Sequence, residues 1–282
     1  MLGIILKIES PSENSYNRSY LDKIKLMEKV DDKRIVFIGG SNLAFGLNSP
    51  VIEKEIIECK VINLGLNAGI GLRYMLADYE KYLQKGDTVI IVPEYENFYN
   101  DGSGSQVLWE VLSLKKSLKN LTVFNFIRSL PYLFTATKDI LMADENKEYG
   151  QKFSYDRRGF NENGDYTGHW KYKGKEKIQV RILSNSKITI SIINYLEKFI
   201  ERSEKKGIKV ILLPPVFQKS SYEINKEKIE KISNSLITKF EVEPKVFSYE
   251  DNLFFDTVYH LNKQGVDLRT KEIIRILKKK GH

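Results

Sequence analysis

Three apolar runs separated by helical patterns constrain the fold of this 282-residue chain more than any other feature. The runs RIVFIGG, KVINLGL and DTVIIVP, at 34–40, 60–66 and 87–93, are continuously apolar rather than alternating, which is typical of strands buried on both faces. Residues 48–57 and 71–86, which lie between them, carry helical periodicity and start or stop signals. This β-α-β-α-β order predicts a parallel sheet with helices on both sides.

The α/β rhythm stops after the third strand and resumes near the C-terminal third of the chain. Residues 208–215 and 244–249 read as further strands, each preceded by a long helical pattern. We therefore predict a three-layer α/β/α, flavodoxin-like domain of about five parallel strands over 31–282. A polar N-terminal arm and a short helix are expected at 1–30. The insert at about 97–185 is long enough to form a lid over a site.

Within the insert, residues 155–176 are rich in glycine and aromatic residues and show no helical period, which predicts a loop or small hairpin. Aromatic faces suit sugar rings, so this stretch could form a lid that stacks on a carbohydrate, with a small surface hairpin as the alternative. The residues considered for this lid are Tyr155, Arg157, Arg158, His169 and Trp170.

Composition excludes several classes of function. The formal net charge is +8, but the lysines lie in helical stretches among acidic residues, and no nucleic-acid motif is present, so no nucleic-acid partner is expected. The single cysteine, Cys59, excludes an intrachain disulfide and a cysteine-based zinc cluster, and no cofactor or metal is expected. No run reaches the ~18 apolar residues of a membrane span, and residues 1–12 are too weakly apolar for a secretory signal, which predicts a cytoplasmic protein.

Four segments rich in glycine or polar residues lie where ligands bind to a parallel sheet. GGSN (39–42), GLNAGIG (65–71) and PEYENFY (93–99) follow the first three strands, and FFDTVYH (254–260) precedes the last helix. Because ligands sit at the carboxyl ends of parallel strands, these segments are expected to meet. They supply a serine, backbone N–H groups near glycines, and an Asp/His pair.

Those parts match a serine nucleophile site, because a serine hydroxyl needs a base and a third group that orients the base. Asp256 and His260 are the pair placed to serve Ser41, and their i, i+4 spacing would face them toward each other on a helical turn. The alternatives are a turn or cap for the serine and a structural histidine. Asn262 is predicted to cap the last helix, and Arg73 and Arg269 to be exposed or structural.

In this order, the blocks GGSNLAFGLNS, VINLGLNAGIGL, VIIVPEYENFY and FFDTVYHLNKQG resemble the SGNH/GDSL hydrolase superfamily. Within it they look like an uncharacterised bacterial branch associated with cell-surface polysaccharide genes. The resemblance covers 34–98 and 208–280 and leaves the insert aside. It implies that Ser41 is the nucleophile, His260 the general base and Asp256 its orienting partner.

The resemblance also implies an oxyanion hole. One donor would be the Ser41 N–H, and the second a backbone N–H around Ala68 or Gly69. The family's third block, G-x-N-D, is absent here, so the identity of its asparagine stays open, and Asn42 replaces a residue that is more often small or acidic. The residues expected near the oxyanion or substrate are Asn42, Asn67, Ala68, Gly69, Glu94, Tyr95 and Asn97.

By this resemblance the protein would be a serine esterase or O-acyltransferase acting on ester groups, O-acetyl groups above all, of a carbohydrate or polysaccharide. A non-catalytic glycan-binding protein on the same fold is the main alternative. A short-chain dehydrogenase is a weaker one, suggested by GLNAGIG and by the Y-x-x-x-K pair Tyr259 and Lys263. Position argues against it, because such a glycine motif normally follows the first strand of the sheet.

Overall fold

A four-stranded parallel sheet lies at the centre of the computed structural model, which describes residues 13–29, 33–141 and 155–282. Its strands are β1 (Arg34–Gly39), β2 (Lys60–Asn63), β3 (Thr88–Val92) and β4 (Lys209–Leu212). They are arranged in the order β2-β1-β3-β4, and each neighbouring pair is parallel. This is the order of the first four strands of a flavodoxin-like sheet. The prediction of an α/β fold with a parallel sheet is confirmed.

Ten α-helices in the described ranges surround the sheet. They are α1 (Ser19–Lys29), α2 (Ser41–Ala44), α3 (Ser49–Glu55), α4 (Leu72–Tyr79), α5 (Gln106–Lys115), α6 (Val123–Ser129), α7 (Leu133–Leu141), α8 (Ile190–Lys205), α9 (Lys219–Ser235) and α10 (Lys263–Lys279). Successive residues of β1 enter opposite cores: Val36 and Ile38 join one apolar cluster, while Ile35 and Phe37 join the other. The sheet is therefore covered on both faces, which gives three layers.

The predicted fifth strand does not join this sheet. Residues Pro244–Phe247 form a 3₁₀ turn, and only the short strand β6 (Ser248–Tyr249) follows it. It pairs in parallel with β5 (Phe217–Gln218), apart from the main sheet. Proline at the start of the turn has no N–H to donate to a ladder, which favours the turn over a longer strand.

The N-terminal segment, predicted as a polar arm and a short helix, packs into the domain through Tyr16. Its side chain is 8% exposed, its hydroxyl donates to the Leu66 carbonyl at 2.9 Å, and its ring contacts Phe45. On α1, the Tyr20 hydroxyl donates to Asp78 Oδ2 at 2.8 Å. The segment is thus held to the same body as the sheet.

The insert contains α5, α6 and α7 and then a largely irregular stretch, while residues 142–154 lie outside the described ranges. An antiparallel bridge joins Phe160 to Tyr166, in agreement with the predicted loop or small hairpin. Within the described ranges no helix has both the length and the apolar character to cross a membrane. Cys59 is a buried free cysteine.

Candidate active site

A cavity of about 570 Å³ opens at the carboxyl edge of the sheet. Its walls come from the segments that follow β1, β2 and β3 and from the loop before α10, as the sequence predicted. The predicted site residues that line it are Ser41, Asn67, Ala68, Gly69, Glu94, Asn97 and His260. Residues from four distant parts of the chain therefore do meet at one site.

Ser41 is presented by a tight junction between β1 and α2. The strand ends at Gly39, and Ser41 is the first residue of the helix. A Cβ at Gly40 would lie 2.5 Å from Glu94 Oε1, so a side chain here would displace the buried Glu94 carboxyl group. Ser41 itself is half-buried and lines the cavity.

His260 is held by Asp256 through a hydrogen bond of 2.8 Å between Nδ1 and Oδ1. Asp256 and His260 do not lie on a helical turn, contrary to the sequence-based expectation. They lie in a loop closed by an antiparallel bridge between Phe254 and Leu261. Phe45 stacks on the imidazole, with the ring centroids 4.1 Å apart. Since Nδ1 is bound to the carboxylate, Nε2 is the ring nitrogen left for the cavity.

Tyr155 is a second partner of Asp256 that sequence reasoning did not assign. Its hydroxyl donates to Asp256 Oδ2 at 2.5 Å and lies 3.2 Å from His260 Nδ1. Burial raises the pKa of Asp256, but the hydrogen bonds from His260 and Tyr155 outweigh it and hold that pKa below its ordinary value. Asp256 is therefore kept as a carboxylate that orients the histidine.

In the described part of the chain no hydrogen bond joins the Ser41 hydroxyl to His260, although both residues line the cavity. Catalytic hydrogen bonds are often long without substrate and tighten in the reacting complex. The two residues share one cavity, with the orienting carboxylate behind the histidine.

The glycine segment after β2 offers one backbone donor. Asn67 caps the 3₁₀ turn Ala68–Ile70, and its Oδ1 accepts from Gly69 N at 2.9 Å. The Gly69 N–H is thus already engaged. Of the two amides proposed, Ala68 N–H is the better candidate for an oxyanion donor.

Asn97 is the asparagine of the segment after β3 that lines the cavity near Glu94. Its Oδ1 accepts from Glu94 N at 3.0 Å, which leaves its side-chain NH₂ as a donor beside the cavity. Tyr95 does not line the cavity, because it is fully buried with its ring against Phe217. The prediction that Tyr95 contacts the substrate is therefore wrong, and Tyr95 is a core residue.

The prediction that Asn42 lies near the oxyanion or substrate is also wrong, because Asn42 is fully buried and does not line the cavity. Its backbone N–H and Nδ2 donate to Glu94 Oε1 at 3.2 and 3.3 Å. On its other side, the guanidinium of Arg269 donates to the Asn42 carbonyl at 2.5 Å and to Oδ1 at 3.1 Å. Asn42 thus fixes the turn that carries Ser41. Burial, together with nearby Glu96, raises the pKa of Glu94 to about 7.

Of the five residues considered for a sugar-stacking lid, only Tyr155 lines the cavity. Arg157 pairs with Asp22, and Arg158 pairs with Asp156. The other two members are His169 and Trp170. His169 is buried, with Nε2 2.8 Å from the Leu261 carbonyl oxygen, and Trp170 packs beside an apolar cluster with Lys263 over its ring. The prediction that these five residues form a stacking lid over the site is therefore wrong.

The dehydrogenase alternative finds no geometric support. The Tyr259 hydroxyl donates to Glu96 Oε2 at 2.6 Å, while Lys263 pairs with Asp267 on α10. The glycine segment follows β2 rather than β1.

Other cavity walls were not predicted from the sequence. They come from the N-terminal segment, the loop before α5 and the end of the insert, through Tyr16, Asn17, Asn100, Ser103, Ser105 and Arg181.

The described residues contain no group of three or more His, Cys, Asp or Glu side chains that could hold a metal ion. No protein-family model matches the chain, and comparison with curated proteins likewise finds no match.

Proposed function

We propose that this protein is a serine esterase or O-acyltransferase, of the SGNH type that its sequence blocks resemble, and that it acts on O-acyl groups of a carbohydrate. The observation that carries the proposal is the shared cavity of Ser41 and His260, with Asp256 bound 2.8 Å from His260 Nδ1. A serine, a histidine and an orienting carboxylate are the three groups that nucleophilic acyl transfer requires.

In the first step Ser41 Oγ attacks the carbonyl carbon of the ester, and His260 Nε2 takes its proton. Asp256 accepts the Nδ1–H bond and stabilises the imidazolium. The negative charge on the former carbonyl oxygen would be met by Ala68 N–H, the Asn97 amide and Ser41 N–H. The sugar hydroxyl then leaves with the proton from Nε2, and the acyl group remains on the serine.

In the second step water or another sugar hydroxyl attacks the acyl-serine, and His260 again takes and returns the proton. Water gives the free carboxylic acid, whereas a sugar hydroxyl gives a new ester. Both outcomes restore Ser41, so one site serves hydrolysis and transfer.

The lining of the cavity supports a carbohydrate as the alcohol part of the substrate. Its neutral hydrogen-bonding side chains are Asn17, Asn67, Asn97, Asn100, Ser103, Ser105 and Thr257, beside the tyrosines Tyr16, Tyr155 and Tyr259. Amides and hydroxyls exchange hydrogen bonds with sugar hydroxyls, while aromatic rings suit the apolar faces of sugars. The volume is in the range of small-molecule sites.

The test is hydrolysis of p-nitrophenyl acetate and of acetylated sugars by the wild type, Ser41→Ala and His260→Ala. Ser186→Ala is the matched control, because Ser186 is exposed and its hydrogen bonds in the described structure are with Ser184. Loss of a triad member should lower kcat/KM by ~10³ or more, while the control keeps wild-type activity. A phosphonate probe should label Ser41, detected by peptide mass spectrometry.

Product analysis with and without a free sugar then separates hydrolysis from transfer. A wild type that is inert toward all esters and unlabelled by the phosphonate would overturn the enzyme proposal. Glycan binding without turnover would then be the function to examine. Equal activity in wild type and Ser41→Ala would overturn the assignment of the nucleophile.

A further inference from the structure

The segment 123–134 exposes an unusual concentration of large apolar side chains. They form what we call the α6–α7 face, made of Val123, Phe124, Ile127, Leu130, Tyr132 and Phe134. Val123 is 75% exposed and Phe134 is 70% exposed. Single exposed apolar residues are ordinary, but a cluster on neighbouring turns marks a surface that contacts something other than water.

The polarity of α6 is inverted relative to a helix that faces water. Its inward positions include Asn125 and Ser129, which are 1% and 0% exposed, whereas its outward positions include Phe124 and Ile127. Both side-chain polar atoms of Asn125 are buried without a hydrogen-bond partner in the described structure. Water-facing helices place polar residues outward. This helix therefore has exposed apolar side chains where a water-facing helix has polar ones, alongside the exposed Arg128.

Basic residues outnumber acidic ones around this face, where Asp139 of α7 is the acidic residue of the two helices. From Lys115 to Lys138 the sequence has five basic residues and no acidic residue. Lys115 is bound to Asp78, but Lys119, Arg128 and Lys138 are exposed beside the apolar side chains. Apolar and aromatic side chains flanked by cations are the pattern of a surface that lies on anionic lipid headgroups.

We propose that the α6–α7 face docks on the surface of an anionic lipid bilayer. Helices of seven and nine residues are too short to span it, so they would lie in the headgroup region with their apolar side chains inserted. A symmetric contact with a second copy is less favourable, because it would bring the same cations of two copies together. This docking does not depend on the proposed acyl chemistry.

The test is sedimentation of the full chain with vesicles of phosphatidylcholine alone or mixed with phosphatidylglycerol. We expect binding to the mixed vesicles that weakens in high salt, and weak binding to phosphatidylcholine alone. The double variant Ile127→Ser with Phe134→Ser should lower the partition coefficient at least tenfold, because two inserted side chains are lost. The matched control is Ile57→Ser with Ile224→Ser, two isoleucines that are 82% and 61% exposed elsewhere.

Thermal unfolding of both double variants is measured alongside, and each should stay close to the wild type because only exposed side chains change. Lys119→Glu with Arg128→Glu provides a second, charge-based variant that should reduce binding to the mixed vesicles. Equal vesicle binding by wild type and Ile127→Ser with Phe134→Ser would overturn the proposal. It would also be overturned if the wild type ignored vesicles and instead self-associated through this face, as judged by light scattering.

Discussion

The substitution Glu94→Gln is expected to change how the stability of the fold depends on pH, and His169→Gln is expected to change it in the opposite direction. Glu94 is buried beside the turn that carries Ser41, and burial raises its pKa from 4.5 to about 7. His169 is buried under the loop that holds His260, and burial lowers its pKa from 6.5 to about 4. Both groups resist charging in the folded state.

The signs follow from which state binds more protons. Between pH 4.5 and 7 the unfolded chain ionises Glu94 freely while the folded protein keeps it neutral, so stability falls as pH rises. Between pH 6.5 and 4 the unfolded chain protonates His169 while the folded protein does not, so stability falls as pH drops. At about 1.4 kcal/mol per pH unit, each contribution is about 3 kcal/mol, and in the wild type the two largely cancel.

Urea unfolding at intervals from pH 4.5 to 7 measures the effect. Relative to wild type, Glu94→Gln should lose stability on acidification, and His169→Gln should lose it on alkalinisation, each by about 3 kcal/mol across the range. The exposed Glu223→Gln is the matched control and should follow the wild type. Parallel pH curves for wild type and both buried variants would refute the reasoning.

Three further changes test the site and its support. Tyr155→Phe removes the hydroxyl that binds Asp256 and should lower kcat for ester hydrolysis by ~10- to 100-fold. The reason is that a hydrogen bond to a charged group is worth about 1.5–3 kcal/mol. An unchanged kcat would show that this bond does not matter for the reaction. Arg269→Met leaves two acceptors on Asn42 without their donor and should cost about 2–4 kcal/mol in urea unfolding, whereas a loss below about 1 kcal/mol would contradict that role. Gly71→Ala should lower the free energy of unfolding by about 3 kcal/mol or more, because φ is 89° and a Cβ would lie 2.5 Å from a backbone nitrogen. Gly86→Ala, at φ 93° in open space, should lower it by about 1 kcal/mol. Equal losses in the two variants would contradict the steric argument.

The sheet and the meeting of its loops could be predicted because each depends on local pattern and on one rule of parallel sheets. Continuous apolar runs are read directly from the sequence, and the carboxyl ends of neighbouring strands must share an edge. That is why Ser41, Ala68, Asn97 and His260 could be placed together without a structure. The Asn262 cap of α10 was predictable for the same local reason, and it accepts from Gly265 N at 3.1 Å.

What could not be predicted depends on contacts between segments that have no common pattern. Tyr155 reads as an aromatic residue in a loop, and nothing near it in sequence indicates Asp256 as its partner. Asn42 was expected at the substrate because it neighbours the serine, but its burial is set by Arg269 on the last helix. The outward apolar residues of α6 have the spacing of any amphipathic helix, and the sequence pattern does not show that Phe126, which packs on Trp109, is the one that faces the core.

The bond between Arg269 and the Asn42 carbonyl spans 227 positions of the chain. A second bond nearby, from Asn48 N to Thr270 Oγ1, spans 222. A ribosome makes the turn that carries Ser41 more than 220 residues before it makes Arg269 and Thr270. Contacts of such long separation form late and slow folding. During synthesis the turn that carries Ser41 therefore emerges long before the arginine that fixes it, and this turn cannot take its native form until Arg269 has also left the ribosome.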